Sequence, residues 1–281
     1  MRTPAAARSP VKPRRGFAAA VGHALLLGIV AFWLVYLLAP IVVTFAISLT
    51  SAEYTVLPPP GLSLRWYRHV LGFSWFTGSL LVSAVVATAA TVASIGMGLV
   101  GALLLARRSF RGRALLEYAM LSPLIIPGVV IGFALLNAAL MVGLQDSALL
   151  NLVLGHAVVT VPFSLRSIWS SLVGFDRRLE EAAQSLGATA VQTFWRVTLP
   201  GILPGIVAGA IIAFTFSFND ITVAIFLVGS TVRTLPVELM SQMEYLPDPT
   251  PAAASSIVML LTLAFFVLIE RTIGLDVFGG R

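Results

Sequence analysis

Six long apolar runs set the limits on what this chain can fold into. They cover about Gly22 to Leu49, Phe76 to Ala106, Ala114 to Leu144, Ala148 to Leu172, Ile202 to Gly229 and Ala252 to Gly274. Each exceeds the roughly 20 apolar residues that carry an α-helix across the core of a bilayer. Lipid offers the backbone no hydrogen-bond partner, so each run must satisfy its own amides as a helix. Only 11% of the 281 residues are charged and 58% are hydrophobic, which excludes a soluble domain of this size. The expected fold class is all-α integral membrane, with six transmembrane helices.

Residues 1–16 hold Arg2, Arg8, Lys12, Arg14 and Arg15 and no apolar run, the composition of a disordered basic tail. The first run is too long for the apolar stretch of a cleaved signal peptide and reads as a retained span. Residues 17–281 then form one transmembrane domain. Pro40 falls within the first span and Pro162 within the fourth. Pro123 and Pro127 predict a kink or break in the third. Ser94, Gly98 and Ala102 in the second span, and Gly201, Gly205 and Gly209 in the fifth, recur every four residues, the spacing of a small-residue stripe for close helix packing. Residues 50–75 and 230–251 read as loops, the first with Trp66, Tyr67 and Trp75 suited to the membrane–water boundary.

The charges orient the spans. With six crossings both termini share one side. The basic tail, Arg107, Arg108, Arg111, Arg113, Arg177, Arg178, Arg196, Arg271 and Arg281 fall on that side, and only Arg65, Arg68 and Arg233 lie in loops on the other. The positive-inside rule makes the first side cytoplasmic. The net charge of +6 is thus read as orientation, with membrane lipids as partners and no nucleic acid.

The most polar long segment between two spans is 176–200. Leu179, Ala182, Ala183 and Leu186 share one helical face, and Asp176 is placed to cap that helix. Gly187 breaks it. Thr189 and Gln192 have the spacing of a capping box for a second short helix, whose apolar side is Val191, Phe194 and Trp195 and which Leu199-Pro200 ends. The result is a helix–turn–helix knob on the cytoplasmic side. Glu181 pairs either with Arg177 one turn earlier or with a basic group on a partner.

Glu181-Ala182-Ala183, Gly187, Val197 and Leu199-Pro200, with their spacing, resemble the EAA loop of permease subunits of binding-protein-dependent ABC importers. Val197 stands where the family usually has isoleucine. The resemblance implies a type I importer permease fold in the bacterial inner membrane, with 176–200 as the coupling segment. Glu181, Ala182, Ala183, Gly187, Leu199 and Pro200 would be its coupling residues. The implied partners are a dimer of ATP-binding subunits, a second and paralogous permease, and an extracytoplasmic solute-binding protein. No cofactor belongs to this chain; ATP and Mg would sit on the ATPase. A second resemblance, over roughly Arg65 to Thr262, is to the spermidine/putrescine-type permeases. It rests on residues 122–132 (SPLIIPGVVIG), 215–229 (TFSFNDITVAIFLVG) and 234–238 (TLPVE). Asn219 and Leu124 stand where relatives often carry acids. The same subfamily also resembles importers of opines, phosphonates, amino-acid derivatives, thiamine and ferric iron, so a polyamine is the first of several solutes.

Candidate pathway residues are Phe216, Asn219, Asp220 and Thr222. Asp220 is the one carboxylate between Glu181 and Glu238. An acid at a membrane position is costly, so it faces protein or water. It is either a contact for solute or cation, or an interfacial acid at a helix end. A phosphate loop is missing from the sequence, and Lys12 is the sole lysine. There is no cysteine, no metal-ligand cluster and no catalytic constellation, so no enzyme activity is expected. His23, His69 and His156 are scattered and read as packing or interfacial. A passive channel subunit is the reading from another class, but neither a polar ring nor a filter loop is evident. An exporter permease would not carry this loop. A reporter fused after Arg111 or Arg178 should be cytoplasmic, and one within 50–75 or 230–251 external; an external Arg178 fusion would overturn the orientation.

Overall fold

The computed structural model describes residues 17–245 and 247–273; the basic tail expected over 1–16 lies outside them, as does Arg281. The first run forms α1 (Phe17–Ser48), continuous through Pro40. A short α2 (Arg65–Gly72) leads to the long α3 (Ser74–Arg107). The third run is broken, as its prolines predict: α4 (Arg113–Leu121) passes through a 3-10 turn at Ser122–Leu124, and α5 (Gly128–Met141) departs at 108°. Next come α6 (Ala148–Gly174), then α7 (Arg178–Ser185) and α8 (Ala190–Thr193). A π turn at Phe194–Thr198 runs into α9 (Leu199–Asn219). The chain closes with α10 (Ala224–Leu227), α11 (Leu235–Tyr245) and α12 (Thr250–Ile273).

Three expectations are corrected. The fifth span ends at Asn219 and not near Gly229, because Asp220 is extended (ψ 130°) and its carboxylate takes the amides of Val223 and Ala224. An acid that binds nearby amides competes with the helix for them. Second, the two segments read as loops each carry a helix. Trp66 and Val70 lie one turn apart on α2, and both bury against Leu235 of α11 and Ala253 of α12. Third, Leu199-Pro200 does not end the short helix after Gly187. Proline is tolerated in a first helical turn, and the π turn before it widens the backbone, with the Leu199 amide reaching back to the Phe194 carbonyl. The chain passes from Ala190 to Asn219 as one 30-residue helical path.

The core of the molecule is α3, α6 and α9. Each brings small residues to the contact. Ser94 and Ser164 share a buried hydrogen bond of 2.9 Å. A Cβ at Gly98 would lie 2.9 Å from the backbone nitrogen of Leu165, and one at Gly205 would lie 2.7 Å from the Ser167 carbonyl oxygen. Both small-residue stripes therefore close on α6. Above and below this contact lie two apolar clusters, one around Val86, Leu152 and Val223, the other around Leu105, Leu165 and Ile202. The longest peripheral helix, α1, packs on α12 and otherwise presents apolar side chains outward, including Phe32, Trp33 and Tyr36.

Contacts at the helix ends settle the crossings. Arg107, at the end of α3, touches Glu180 of α7, and α6 runs directly into α7. So α3 and α6 both finish at the end that carries 176–200. The bent pair of α4 and α5 must then take the chain to the far end as one broken span. Ser48, closing α1, shares a 2.7 Å hydrogen bond with Tyr67 of α2, whose helix packs on the start of α12. The chain thus crosses six times, with the start of α1 and the close of α12 at the knob end.

Gly98→Val and Gly205→Val should each lower the melting temperature of the purified protein in detergent, at a cost of about 1–3 kcal/mol, since the facing atoms include backbone that cannot move aside. Gly96→Val on the same helix, where nothing lies within 4 Å of a Cβ, should leave it unchanged.

Candidate functional site

The 176–200 segment is built by three local devices. Asp176 accepts the Arg178 amide at 3.0 Å and the Arg178 guanidinium, which holds its carboxyl below the usual carboxylate range. The α7 helix stops at Gly187, whose φ of +91° is the left-handed conformation that glycine adopts without strain. The Ala188 amide reaches Ala183 and the Gly187 amide reaches Gln184, which closes the helix end in a Schellman pattern. Thr189 and Gln192 then form a complete capping box, with bonds of 3.2 and 2.9 Å. Sequence spacing anticipated the stop and the box. Arg177 already has helical angles, so Asp176 stands at the N-cap and accepts the amide two residues on, as the sequence leads one to expect.

These devices fix an apolar face that the protein itself does not cover. Leu179 is 54% exposed, Leu186 89%, Val191 67% and Trp195 62%. Ala182 and Gly187 are exposed beside them, Ala183 and Leu199 are half-buried, and Pro200 is exposed. Glu181 is exposed too, and among the described residues no ion pair joins it to Arg177. Of the two pairings that the sequence leaves open for Glu181, the local one is not formed.

The neighbouring acid, Glu180, was not singled out from the sequence. It is buried, 7% exposed, and both its oxygens meet Arg107: Nη1 to Oε2 at 2.7 Å and Nη2 to Oε1 at 2.6 Å. The Thr198 hydroxyl donates to Oε1 as well. Burial pushes the Glu180 carboxyl up, but the hydrogen bonds from Arg107 and Thr198 and the charges of Arg107 and Arg177 outweigh it, and the net pKa is lowered. The available signal was weak. Two adjacent acids on a helix point about 100° apart, so they need not share a face, but nothing local said that Glu180 would turn inward.

At the far end α9 stops where 215–229 meets 122–132. Thr222 lies against Gly128, where a Cβ would collide with its hydroxyl, and Gly132 has Val223 and Phe226 against it. Asp220 is the pivot. One oxygen accepts the Thr222 hydroxyl at 2.9 Å; the other accepts the amides of Val223 and Ala224 at 3.0 and 3.1 Å. It is buried, with the His156 Nε2 at 3.9 Å, while His156 Nδ1 shares a 2.7 Å hydrogen bond with Ser217. Asp220 thus lies at the end of α9 as a buried acid bonded to one hydroxyl and two amides, not as an interfacial one. The other candidates do reach the surface. Phe216, Asn219 and Thr222 are exposed. Phe216 packs against Phe163 with the rings tilted by 42° and their centroids 4.8 Å apart. Asn219, whose amide donates to the Thr215 carbonyl, borders a cleft of about 190 Å³ with Phe214, Phe218 and Phe265.

Comparison with known proteins places these features in context. Residues 94–274 match the family model described as binding-protein-dependent transport system inner membrane component. The spermidine/putrescine transport system permease protein PotC of Haemophilus influenzae is 32% identical over 234 residues, 83% of this chain and 90% of the relative. The putrescine transport system permease protein PotI of Escherichia coli K12 is 31% identical over 80% of this chain and 82% of its own length. The E. coli molybdenum transport system permease protein ModB is 32% identical over 68% of this chain and 90% of its own. Among solved structures, a chain of a bacterial ABC transporter for import of the acidic polysaccharide alginate superposes with a TM-score of 0.69 at 18% identity. That match covers 94% of this chain and 99% of the other, a likeness of fold.

The clamp on Glu180 has a pH signature. A carboxylate with a lowered folded-state pKa stabilises fully above its ordinary value of 4.5 and loses that contribution as pH falls through the lowered value. Hydrogen-exchange protection of residues 178–185, corrected for intrinsic rates, should be constant down to that ordinary value and fall below it. In Glu180→Gln protection should be lower at neutral pH and the fall smaller, the remaining fall coming from the Asp176 cap on the same helix.

Proposed function

The chain belongs to the inner membrane components of binding-protein-dependent transport systems, and from that premise we propose that it is one permease of a polyamine importer driven by a separate ATPase. The observation that carries the coupling role is the rigid apolar face of Leu179, Leu186, Val191 and Trp195, held out into solvent by capped helix ends. A face of that kind needs a partner. The partner is an ATP-binding subunit, one of a dimer, whose groove receives the knob. Glu181 offers it a charge, Ala182 and Ala183 a small surface, Gly187 the turn, and Leu199-Pro200 the rigid entry into α9. ATP and Mg belong to that subunit, since this chain carries no phosphate loop and Lys12 is its sole lysine. The chain is a transport subunit and not an enzyme.

Because the basic residues gather at the knob end, that end is cytoplasmic and so are both termini. An extracytoplasmic binding protein delivers solute to the opposite end. A second permease completes the pathway, since six spans are too few to enclose a wide one, and the likeness to the spermidine/putrescine-type permeases favours a paralogue over an identical copy. Closure of the ATPase pair brings the knobs together and rocks the spans between inward- and outward-facing states.

Two lines support a polyamine. The PotC and PotI relatives align over 83% and 80% of this chain, while ModB aligns over 68% at similar identity. The far-end cleft also has suitable chemistry: the faces of Phe214, Phe218 and Phe265 attract ammonium groups, and Asn219 offers an amide. Phe216, Asn219 and Thr222 line the pathway, while Asp220 holds the end of α9 in place beside them. Opines, phosphonates, amino-acid derivatives, thiamine and ferric iron are the competing solutes, and molybdate joins them through ModB.

The test is uptake into proteoliposomes that hold both permeases and the ATPase, with the binding protein and ATP supplied. Labelled putrescine and spermidine should accumulate and molybdate should not; the reverse would overturn the solute. Asn219→Ala should raise the KM for uptake, by about tenfold if one hydrogen bond to an ammonium is lost. Asp220→Asn should instead lower the melting temperature, because two amides lose a charged acceptor, and leave KM close to that of the parent. A raised KM with unchanged stability would return Asp220 to the pathway.

A further inference from the structure

We propose that the buried pair of Arg107 and Glu180 is the strut that carries movement of the knob into the transmembrane core, so that both act as positioning residues for transport. The inference rests on the coupling role given to the knob above. Glu180 is tied to three elements at once. It sits on α7, its oxygens take both terminal nitrogens of Arg107 at the end of α3, and it accepts the hydroxyl of Thr198 in the π turn that opens α9. Among the described residues no other ion pair joins the knob to a membrane helix.

The geometry suits a mechanical link. A two-point guanidinium–carboxylate fork fixes orientation as well as distance, which a single hydrogen bond does not. Its base is held too: Arg113 folds back and donates Nε and Nη2 to the Leu105 carbonyl at 3.2 and 3.0 Å, which ties down the last turn of α3. Breaking the pair would strand a charge that is shielded from water, so the link persists while the helices move. The two helices that it reaches, α3 and α9, are the ones whose small residues close on α6. A push on α7 is therefore delivered to both flanks of the core. The adjacent Glu181 faces outward and cannot do this.

At the far end, α3 borders a cleft lined by Ser74, Gly78, Ser79, Ser230, Thr231 and Glu238. Its opening reports whether α3 has moved. The chain has no cysteine, so Ser230→Cys gives a single reactive thiol there. The assembled transporter carrying this thiol is labelled with a maleimide in the nucleotide-free state and after trapping with ATP and vanadate. A readout of this kind needs no transported solute. The labelling rate should differ between the two states in the parent. In Glu180→Gln and Arg107→Lys the difference should disappear although assembly and vanadate trapping persist, and the exchanged pair Arg107→Glu with Glu180→Arg should restore part of it. If either single variant keeps the parent's difference, the strut is wrong. If even Arg107→Lys fails to assemble, the pair is a folding element only and the proposal falls. If the parent itself shows no difference on trapping, the coupling role of the knob falls, and the strut with it.

Discussion

The close approach of α3 and α9 to the serines of α6 is the contact on which the rest of this molecule depends. In lipid an apolar side chain gains nothing by leaving the solvent, so helices must associate through fit and internal hydrogen bonds. Here Ser164 hydrogen-bonds Ser94, and Gly98 and Gly209 both bring their backbones against it. Gly205 does the same against Ser167 and Ser171. Side chains at these glycines would separate the helices, and the apolar clusters around Leu152 and Leu165 would lose their packing. Because three helices are drawn together here, their ends are fixed relative to one another, and both functional regions are built on those ends.

At the far end the fixed core meets a deliberately irregular chain. Pro123 and Pro127 break the third span, and Gly128 and Gly132 follow the break. The gap is filled by the segment after α9, with Thr222 on Gly128 and Phe226 on Gly132. A chain that leaves a helix within the membrane frees backbone amides, and these must find acceptors. Asp220 supplies one carboxylate for two amides and a hydroxyl. These bonds hold the end of α9, and Asn219 lines the neighbouring cleft with Phe214, Phe218 and Phe265.

At the opposite end the irregular points, Gly187 and the π turn at Phe194–Thr198, are closed by local bonds, and the surface is what remains unpaired. Each helix terminus of the knob has its caps, so the segment holds a shape without a partner. Its apolar side chains point away from the core, and the single inward acid is clamped by Arg107 and Thr198. Glu180 and Glu181 are neighbours in sequence with opposite duties, one anchoring and one facing outward, because the helix turns about 100° between them.

The sequence by itself determined what local physics controls. Six apolar runs dictated helices, prolines dictated the broken third span, Gly187 and the Thr189–Gln192 spacing dictated the knob, and the small-residue stripes dictated which faces pack. Each follows from a few consecutive residues. The tertiary structure alone decided the rest. The end of the fifth helix at Asn219 depended on Asp220 finding amides and a hydroxyl in a segment buried against the third and fourth spans. The helices within 50–75 and 230–251 form because Trp66, Val70 and Leu235 bury one another across nearly 170 residues of chain. The choice of Glu180 over Glu181 as the buried acid needed Arg107, 73 residues away, to arrive at the same place. A carboxylate's role is set by which donors surround it, and only the packed helices bring those donors together.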